Sequence, residues 1–204
     1  MVTLYSAVRA IATFLFKFTY PWEVNGNDKL PKEGKYIICP NHISNMDPVF
    51  LIMSQKRQIF FMAKSELFKN KIVAKFLCAV GTFPVQRKKS DTKAINKSYE
   101  VLEDNNALGI FIEGTRSKDG EFLKPKSGAA MISYKTNTPI IPVCITPKKG
   151  KRVRPFRKTI ISYGDPMSLS ELGIEKGTGL EFRNASRIIM GRIKELRERD
   201  IEKY

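Results

Sequence analysis

Residues 36–54 read YIICPNHISNMDPVFLIMS. Tyr36–Cys39 is a short apolar run with two isoleucines, the signature of a buried strand. Asp47-Pro48 has the form of a helix N-cap followed by proline at the first helical position, predicting a helix through about Ser54. Between them lies a polar loop. Strand, loop and helix in 19 residues make one β-α unit.

The unit recurs along the chain. Further strand patterns are Gln58–Met62, Thr82–Val85, Leu108–Ile112, Ile140–Ile145 and Thr159–Tyr163. Helical patterns fall between them: Ser65 as cap of a helix to about Val80, Asp91 as cap of one to about Glu103, and a helix from about Gly128 to Lys135. A last helix carries Phe182, Ala185, Ile189, Ile193 and Leu196 at spacings of 3–4 residues, which assigns it a packing role. Strands alternating with helices predict an α/β layered domain with a largely parallel central sheet flanked by helices. In such sheets functional groups gather beyond the carboxyl ends of the strands. The 204 residues suffice for one core, with 42% hydrophobic and 27% charged side chains, which excludes a disordered chain and a polytopic membrane protein.

The N-terminal stretch VTLYSAVRAIATFLFKFTYPW has helical periodicity. Leu4, Val8, Ile11, Leu15 and Phe18 form one face, and Thr3, Ser6, Ala10, Thr13 and Lys17 the other. Arg9 and Lys17 are embedded in it, and Tyr20, Pro21 and Trp22 follow without a small-residue cleavage site. These features disfavour a signal peptide and favour an amphipathic, membrane-associating helix lying in the interface. A packed core helix and a true span are the alternatives. The expected division is a membrane-associating helical segment over 1–22 and the α/β domain over 23–204.

Charge is strongly basic: 36 Lys and Arg against 20 Asp and Glu, a net +16. Residues 146–158, TPKKGKRVRPFRK, hold seven basic side chains and no acidic one, and residues 55–89 hold nine against Glu66 alone. Such blocks suit anionic lipid, a phosphorylated small molecule or nucleic acid; an ordinary solvated face is the plainer reading. Only Phe156 interleaves the densest run, and no nucleic-acid-binding motif is present, so no nucleic-acid partner is expected. Cys39, Cys78 and Cys144 form no C-x-x-C pair and read as small buried hydrophobes in a reducing compartment. With one histidine and three scattered cysteines, no metal site is expected. G-x-S-x-G and H-E-x-x-H are absent, and residues 109–116 have P-loop glycine spacing without its Lys-Ser/Thr.

The chemistry-bearing residues lie at strand-to-loop transitions. His42, the sole histidine, follows the first strand pattern and lies five residues before Asp47. A tight loop can turn the carboxylate back onto the imidazole and leave the other ring nitrogen as a base. Alone the pairing is weak, arising by chance about once in twenty. Arg87 leaves the strand in GTFPVQR. Glu113, Gly114, Thr115 and Arg116 follow the next, and Lys126-Ser127-Gly128 opens a helix. Arg87, Arg116 and Lys126 can together bind a phosphate dianion.

Taken together these blocks resemble the glycerophospholipid acyltransferase family, in order as well as in residues. His42, Ser44 and Asp47 match its N-H-x-S-x-x-D block, Gly81 to Arg87 its G-x-x-x-V-x-R block, Phe111 to Ser117 its F-P-E-G-T-R-S block, and Pro139 to Val143 its proline-containing last block. Ile112 stands where the family commonly has proline. The nearest member type looks like the 1-acyl-sn-glycerol-3-phosphate acyltransferases, which make phosphatidic acid. The resemblance implies acyl transfer from a thioester of acyl carrier protein or coenzyme A to the sn-2 hydroxyl of lysophosphatidic acid, with no metal or other cofactor. It makes His42 the base and Asp47 its orienting partner. Arg87, Arg116 and Lys126 would hold phosphate, Glu113 would hydrogen-bond the glycerol end, and amides near Gly114 and Thr115 would face an oxyanion. It also implies a membrane phospholipid surface as partner, with the protein peripheral or monotopic on the cytoplasmic face of the cell membrane. Glycerol-3-phosphate or another lysolipid as acceptor, and a non-catalytic basic module binding anionic lipid or nucleic acid, are the alternatives.

Overall fold

The computed structural model describes residues 4–86 and 91–203. Among the described residues seven strands form one sheet: β1 (Trp22–Asn25), β2 (Tyr36–Pro40), β3 (Ile59–Lys64), β4 (Thr82–Val85), β5 (Ala107–Gly109), β6 (Ile140–Pro147) and β7 (Thr159–Tyr163). Their order is β1-β7-β6-β2-β5-β3-β4, and every neighbouring pair is parallel except β6 with β7. The α/β class with a largely parallel sheet is as the sequence predicts. Among the described residues six α-helices accompany it: α1 (Leu4–Thr19), α2 (Asp47–Ser54), α3 (Lys71–Ala79), α4 (Thr92–Glu103), α5 (Gly128–Thr136) and α6 (Gly179–Glu202).

Period-two alternation divides the core. Ile37, Cys39, Leu108, Ile140 and Cys144 face α4, α5 and α6 on one side of the sheet. Tyr36, Ile38, Phe61, Ile141 and Val143 face α2 on the other, where Ala12 and Phe16 of α1 also pack. The carboxyl ends of β2 and β5 therefore emerge side by side at the centre of the sheet.

Several elements differ from expectation, each for a local reason. β1 has no apolar run; its WEVN is an edge strand, half-buried throughout, recruited by pairing with β7. β5 ends at Gly109, yet Ile110 and Ile112 still donate to Ile38 O and Pro40 O, so the chain stays beside β2 irregularly. The helix expected from Ser65 is broken. A single 3-10 turn covers Ser65–Phe68, and α3 starts afresh with the Asn70 side chain accepting from Ile72 N and Val73 N. Asp91 does cap α4, accepting from Ala94 N. Cys39 and Cys144 are buried, and burial pushes the Cys144 thiol up to about 12. Cys78 is exposed, because α3 buries none of its residues.

The last helix does more than fill volume. Asp200, near its end, is buried and accepts hydrogen bonds from Thr146 Oγ1 (2.7 Å) and Ser162 Oγ (2.5 Å), tying α6 to β6 and β7. Burial raises its carboxyl above the ordinary aspartate value, and the two hydroxyls offset part of that rise. Such a group binds its proton more tightly folded than unfolded. Its contribution is full below the ordinary value of about 3.9 and is lost as pH rises through the raised folded value. In Asp200→Asn the amide can accept from one hydroxyl and donate to the other, whose rotor turns. Thermal melts between about pH 3.5 and about pH 7 should therefore show the variant gaining on the wild type as pH rises. A difference that stays constant or narrows contradicts this.

Candidate active site

The loop after β2 is fixed before it reaches the histidine. Asn41 is fully buried and exchanges two hydrogen bonds with Ile145: Asn41 Nδ2 donates to Ile145 O (3.1 Å), and Ile145 N donates to Asn41 Oδ1 (2.8 Å). The side chain thus continues the β2–β6 pairing that ends at Pro40 and Val143.

His42 comes next, and Asp47 lies 2.8 Å from it, measured from Nδ1 to Oδ2. The same oxygen accepts from Ile43 N (2.7 Å) and Ser44 N (2.8 Å). An oxygen already accepting two amide protons sets the tautomer by this network: Nδ1 donates, and Nε2 carries the free electron pair. Nε2 has no hydrogen-bond partner among the described residues, and both side chains are buried. The sequence reading made Asp47 an N-cap. In the structure Met46 occupies that position, Asp47 is the first helical residue, and its carboxylate turns back into the loop instead of capping α2.

The segment after β5 holds the other side of His42. His42 N donates to Glu113 Oε1 (3.0 Å), and Ser117 N donates to His42 O (2.8 Å). Glu113 Oε2 accepts from Leu123 N (2.9 Å). Glu113 is only 1% exposed, and burial raises its carboxyl while the two amides work against that rise. Each oxygen thus holds one backbone amide, which ties the carboxylate to the histidine loop, and the side chain also lines the neighbouring cavity. The Phe111 ring stacks on the imidazole at 3.9 Å and 21°. Phe61 stacks behind Phe111 at 6.1 Å, and a Cβ at Gly109 would stand only 2.1 Å from the Phe61 ring, so glycine is needed there.

Beside this unit opens a cavity of about 750 Å³. Its apolar wall includes Met62, Val85, Ile95, Ile110 and Phe111, and its polar end includes Glu113, Gly114, Thr115 and Lys126. Gly114 turns at φ 69, a left-handed conformation suited to glycine, and its N–H donates to Phe111 O, so that amide is not free for an oxyanion. The Thr115 and Arg116 amides have no acceptor among the described residues. Arg116 and Lys126 are exposed and have no salt-bridge partner among the described residues. Arg116 does not line the cavity. Arg87 lies outside the described residues; Gln86, just before it, lines the cavity.

Sequence reasoning missed three supports. Asn41 is one; it stands first in the N-H-x-S-x-x-D block and just after a fully apolar strand, but neither signal gave it a partner. Phe111 was read as part of a block without its stacking partner. Arg197 of α6 was assigned to a packing helix, yet it lies 3.9 Å over the Phe122 ring and donates to Gly120 O (3.1 Å), holding the segment that leads to Leu123.

The histidine–aspartate pair lies at the carboxyl ends of a largely parallel sheet, where α/β enzymes gather their functional groups, and comparison with known proteins gives the family. A family model described as Acyltransferase matches residues 21–146. The chain belongs to the acyltransferase family, and it is an enzyme of that class. It is 29% identical over 187 residues to a 1-acyl-sn-glycerol-3-phosphate acyltransferase of Streptococcus pneumoniae, covering 87% of this chain and 67% of that protein. It is 33% identical over 124 residues to the protein of that name from Borreliella burgdorferi, covering 60% and 50%. With that of Bacillus subtilis it shares 30% identity over 147 residues, covering 71% and 73%. The crystal structure of a 1-acyl-sn-glycerophosphate (LPA) acyltransferase from Thermotoga maritima has the same fold, with a TM-score of 0.75 at 24% identity over 95% of this chain and 79% of that one.

The bracket around Asn41 generates a sharp test. Asn41→Ala leaves both polar groups of Ile145 without partners and should destabilise the protein by about 1–3 kcal/mol. Asn41→Asp puts an oxygen against Ile145 O and should be worse still. Urea denaturation orders the two, and an aspartate variant as stable as wild type would contradict the geometry.

Proposed function

We propose that this chain transfers a fatty acyl group from a thioester to the sn-2 hydroxyl of lysophosphatidic acid, giving phosphatidic acid. The observation that carries the reading is His42, oriented through Nδ1 by Asp47, left with Nε2 unpartnered among the described residues, and packed against Phe111 and Glu113, which line the largely apolar cavity. The names of the relatives support the choice of acceptor.

His42 Nε2 takes the proton of the acceptor hydroxyl as its oxygen attacks the thioester carbonyl. The carbon–sulfur bond then breaks, and the thiolate leaves with the proton held on the imidazolium. The acceptor hydroxyl is itself the nucleophile, so no acyl-enzyme is needed. Asp47 stabilises the imidazolium. Arg116, Lys126 and Arg87 bind the acceptor phosphate, and the Thr115 amide is the oxyanion donor that Gly114 cannot be. The cavity takes an acyl chain. Glu113 positions the backbone of His42 and, lining the cavity, is placed to meet the glycerol end of the acceptor. The donor is acyl carrier protein or coenzyme A.

The protein works at a membrane surface, peripheral on the cytoplasmic face, with residues 1–22 as the associating segment and 23–204 as the acyltransferase domain. No helix of the described residues is long and apolar enough to cross a membrane. Five exposed apolar side chains of α1, Leu4, Ile11, Phe14, Leu15 and Phe18, support an interfacial role.

The test is acyl transfer by purified protein, with radiolabelled lysophosphatidate or glycerol-3-phosphate as acceptor and acyl-coenzyme A or acyl carrier protein offered separately. Lysophosphatidate should be consumed and glycerol-3-phosphate should not. His42→Ala should lose roughly 10²–10⁴-fold in turnover while remaining folded. Arg116→Ala should raise acceptor KM by roughly tenfold or more and leave donor KM unchanged. Near-normal turnover by His42→Ala contradicts the mechanism, and a change confined to donor KM moves Arg116 to the thioester carrier.

A further inference from the structure

Three segments distant in sequence, α1 and a neighbour at each of its ends, leave apolar side chains in solvent. α1 buries Tyr5 and packs Ala12 and Phe16 onto the sheet, but Phe14 and Phe18 are 74% and 76% exposed. At its first turn, Leu4 shares an apolar concavity of about 460 Å³ with Ile72 and Phe76 of α3. That helix buries nothing, and Ile72 is 81% exposed. At the other end Phe156, in the loop between β6 and β7, donates its N–H to the carbonyl of Thr19, the last residue of α1 (2.7 Å). Phe156 is 78% exposed and its φ is 60, a left-handed conformation uncommon for a bulky side chain. A 16-residue helix is about 24 Å long, so α3 and the Phe156 loop adjoin α1 at opposite ends of that length.

Charge identifies what these side chains meet. Lys69, Lys71 and Lys75 accompany the α3 cluster, Lys17 lies on α1, and Arg154 and Arg157 flank Phe156. There is no acidic residue in α1, from 67 to 90, or from 147 to 164. Apolar side chains set singly among cations match an anionic headgroup layer above a fluid apolar one. Leu4, Ile72 and Phe76 share one concavity, but Phe14, Phe18 and Phe156 lie outside its lining, so the apolar side chains do not form the single groove a protein helix would require.

We propose that the protein meets an anionic phospholipid surface through this composite face, with the Phe156 loop and the exposed side of α3 inserting at the two ends of α1. The inference rests on the membrane association proposed above and adds two insertion points to it. Anchoring at both ends holds α1 along the bilayer plane.

Trp22 is the only tryptophan, so Trp22→Phe/Phe156→Trp and Trp22→Phe/Ile72→Trp each carry a single reporter. Vesicles of phosphatidylglycerol and phosphatidylcholine with brominated chains should blue-shift and quench the indole at both positions. In the otherwise wild-type chain, Phe156→Asn keeps a residue tolerant of positive φ, and Ile72→Ser/Phe76→Ser alters only exposed or half-exposed side chains. Each should weaken vesicle co-sedimentation roughly tenfold. If Phe14→Ser/Phe18→Ser abolishes binding while these variants sediment like wild type with unquenched indoles, α1 alone is the anchor and the composite face is wrong. If the wild type binds no vesicles, the underlying membrane reading fails. An indole at 156 that responds to acyl carrier protein and not to vesicles also overturns the proposal.

Discussion

One carboxylate oxygen, Asp47 Oδ2, accepts hydrogen bonds from His42 Nδ1, Ile43 N and Ser44 N. Three donors within three consecutive residues can converge on one atom only if the chain curls tightly around it. That curl orients the imidazole and also delivers the chain to the start of α2, where Pro48 sets the helical φ. The other carboxylate oxygen is buried without a partner. An unpaired buried acceptor is unfavourable, so the loop retains this arrangement because the three bonds and the surrounding packing outweigh it. Catalytic orientation and local folding thus share one interaction.

The remainder of the site restrains that loop from behind. Glu113 and Ser117 grip the backbone of His42 on both sides, which couples the carboxyl end of β2 to the segment after β5. Phe111 limits tilting of the ring, with Phe61 behind it and Gly109 below. α6 contributes at two depths: Asp200 ties it to β6 and β7, and Arg197 steadies the chain near Leu123. Each polar bond is worth only about 1 kcal/mol net, but several are buried and close to one another, which favours a single geometry.

What was legible in the sequence follows from what acts locally. Periodicity of two and of about 3.6 is a local property, so Tyr36, Thr82–Val85, Thr159–Tyr163 and the buried face of α6 could be placed directly. β1 could not, because WEVN becomes a strand only through its partner β7. The break at Asn70 turned on whether an asparagine side chain or the helix claimed two amides. Asp47 had the composition of a cap, and the competing donors in its own loop decided otherwise. His42 and Asp47 were brought together by a spacing the sequence displays. The bracket by Glu113, 71 residues away, needed the sheet to place it. Arg197 had no local signal at all, since charge on the polar side of an amphipathic helix is ordinary.

The central claim is that His42 presents an unprotonated Nε2 because Asp47 holds the proton at Nδ1. As the only histidine, it gives one imidazole spin system in protein labelled with ¹⁵N-histidine. In the neutral ring, the account predicts the Nδ1–H tautomer, with a downfield Nδ1 proton lost in Asp47→Ala. A neutral ring with its proton on Nε2, or a spectrum indifferent to Asp47→Ala, would contradict it.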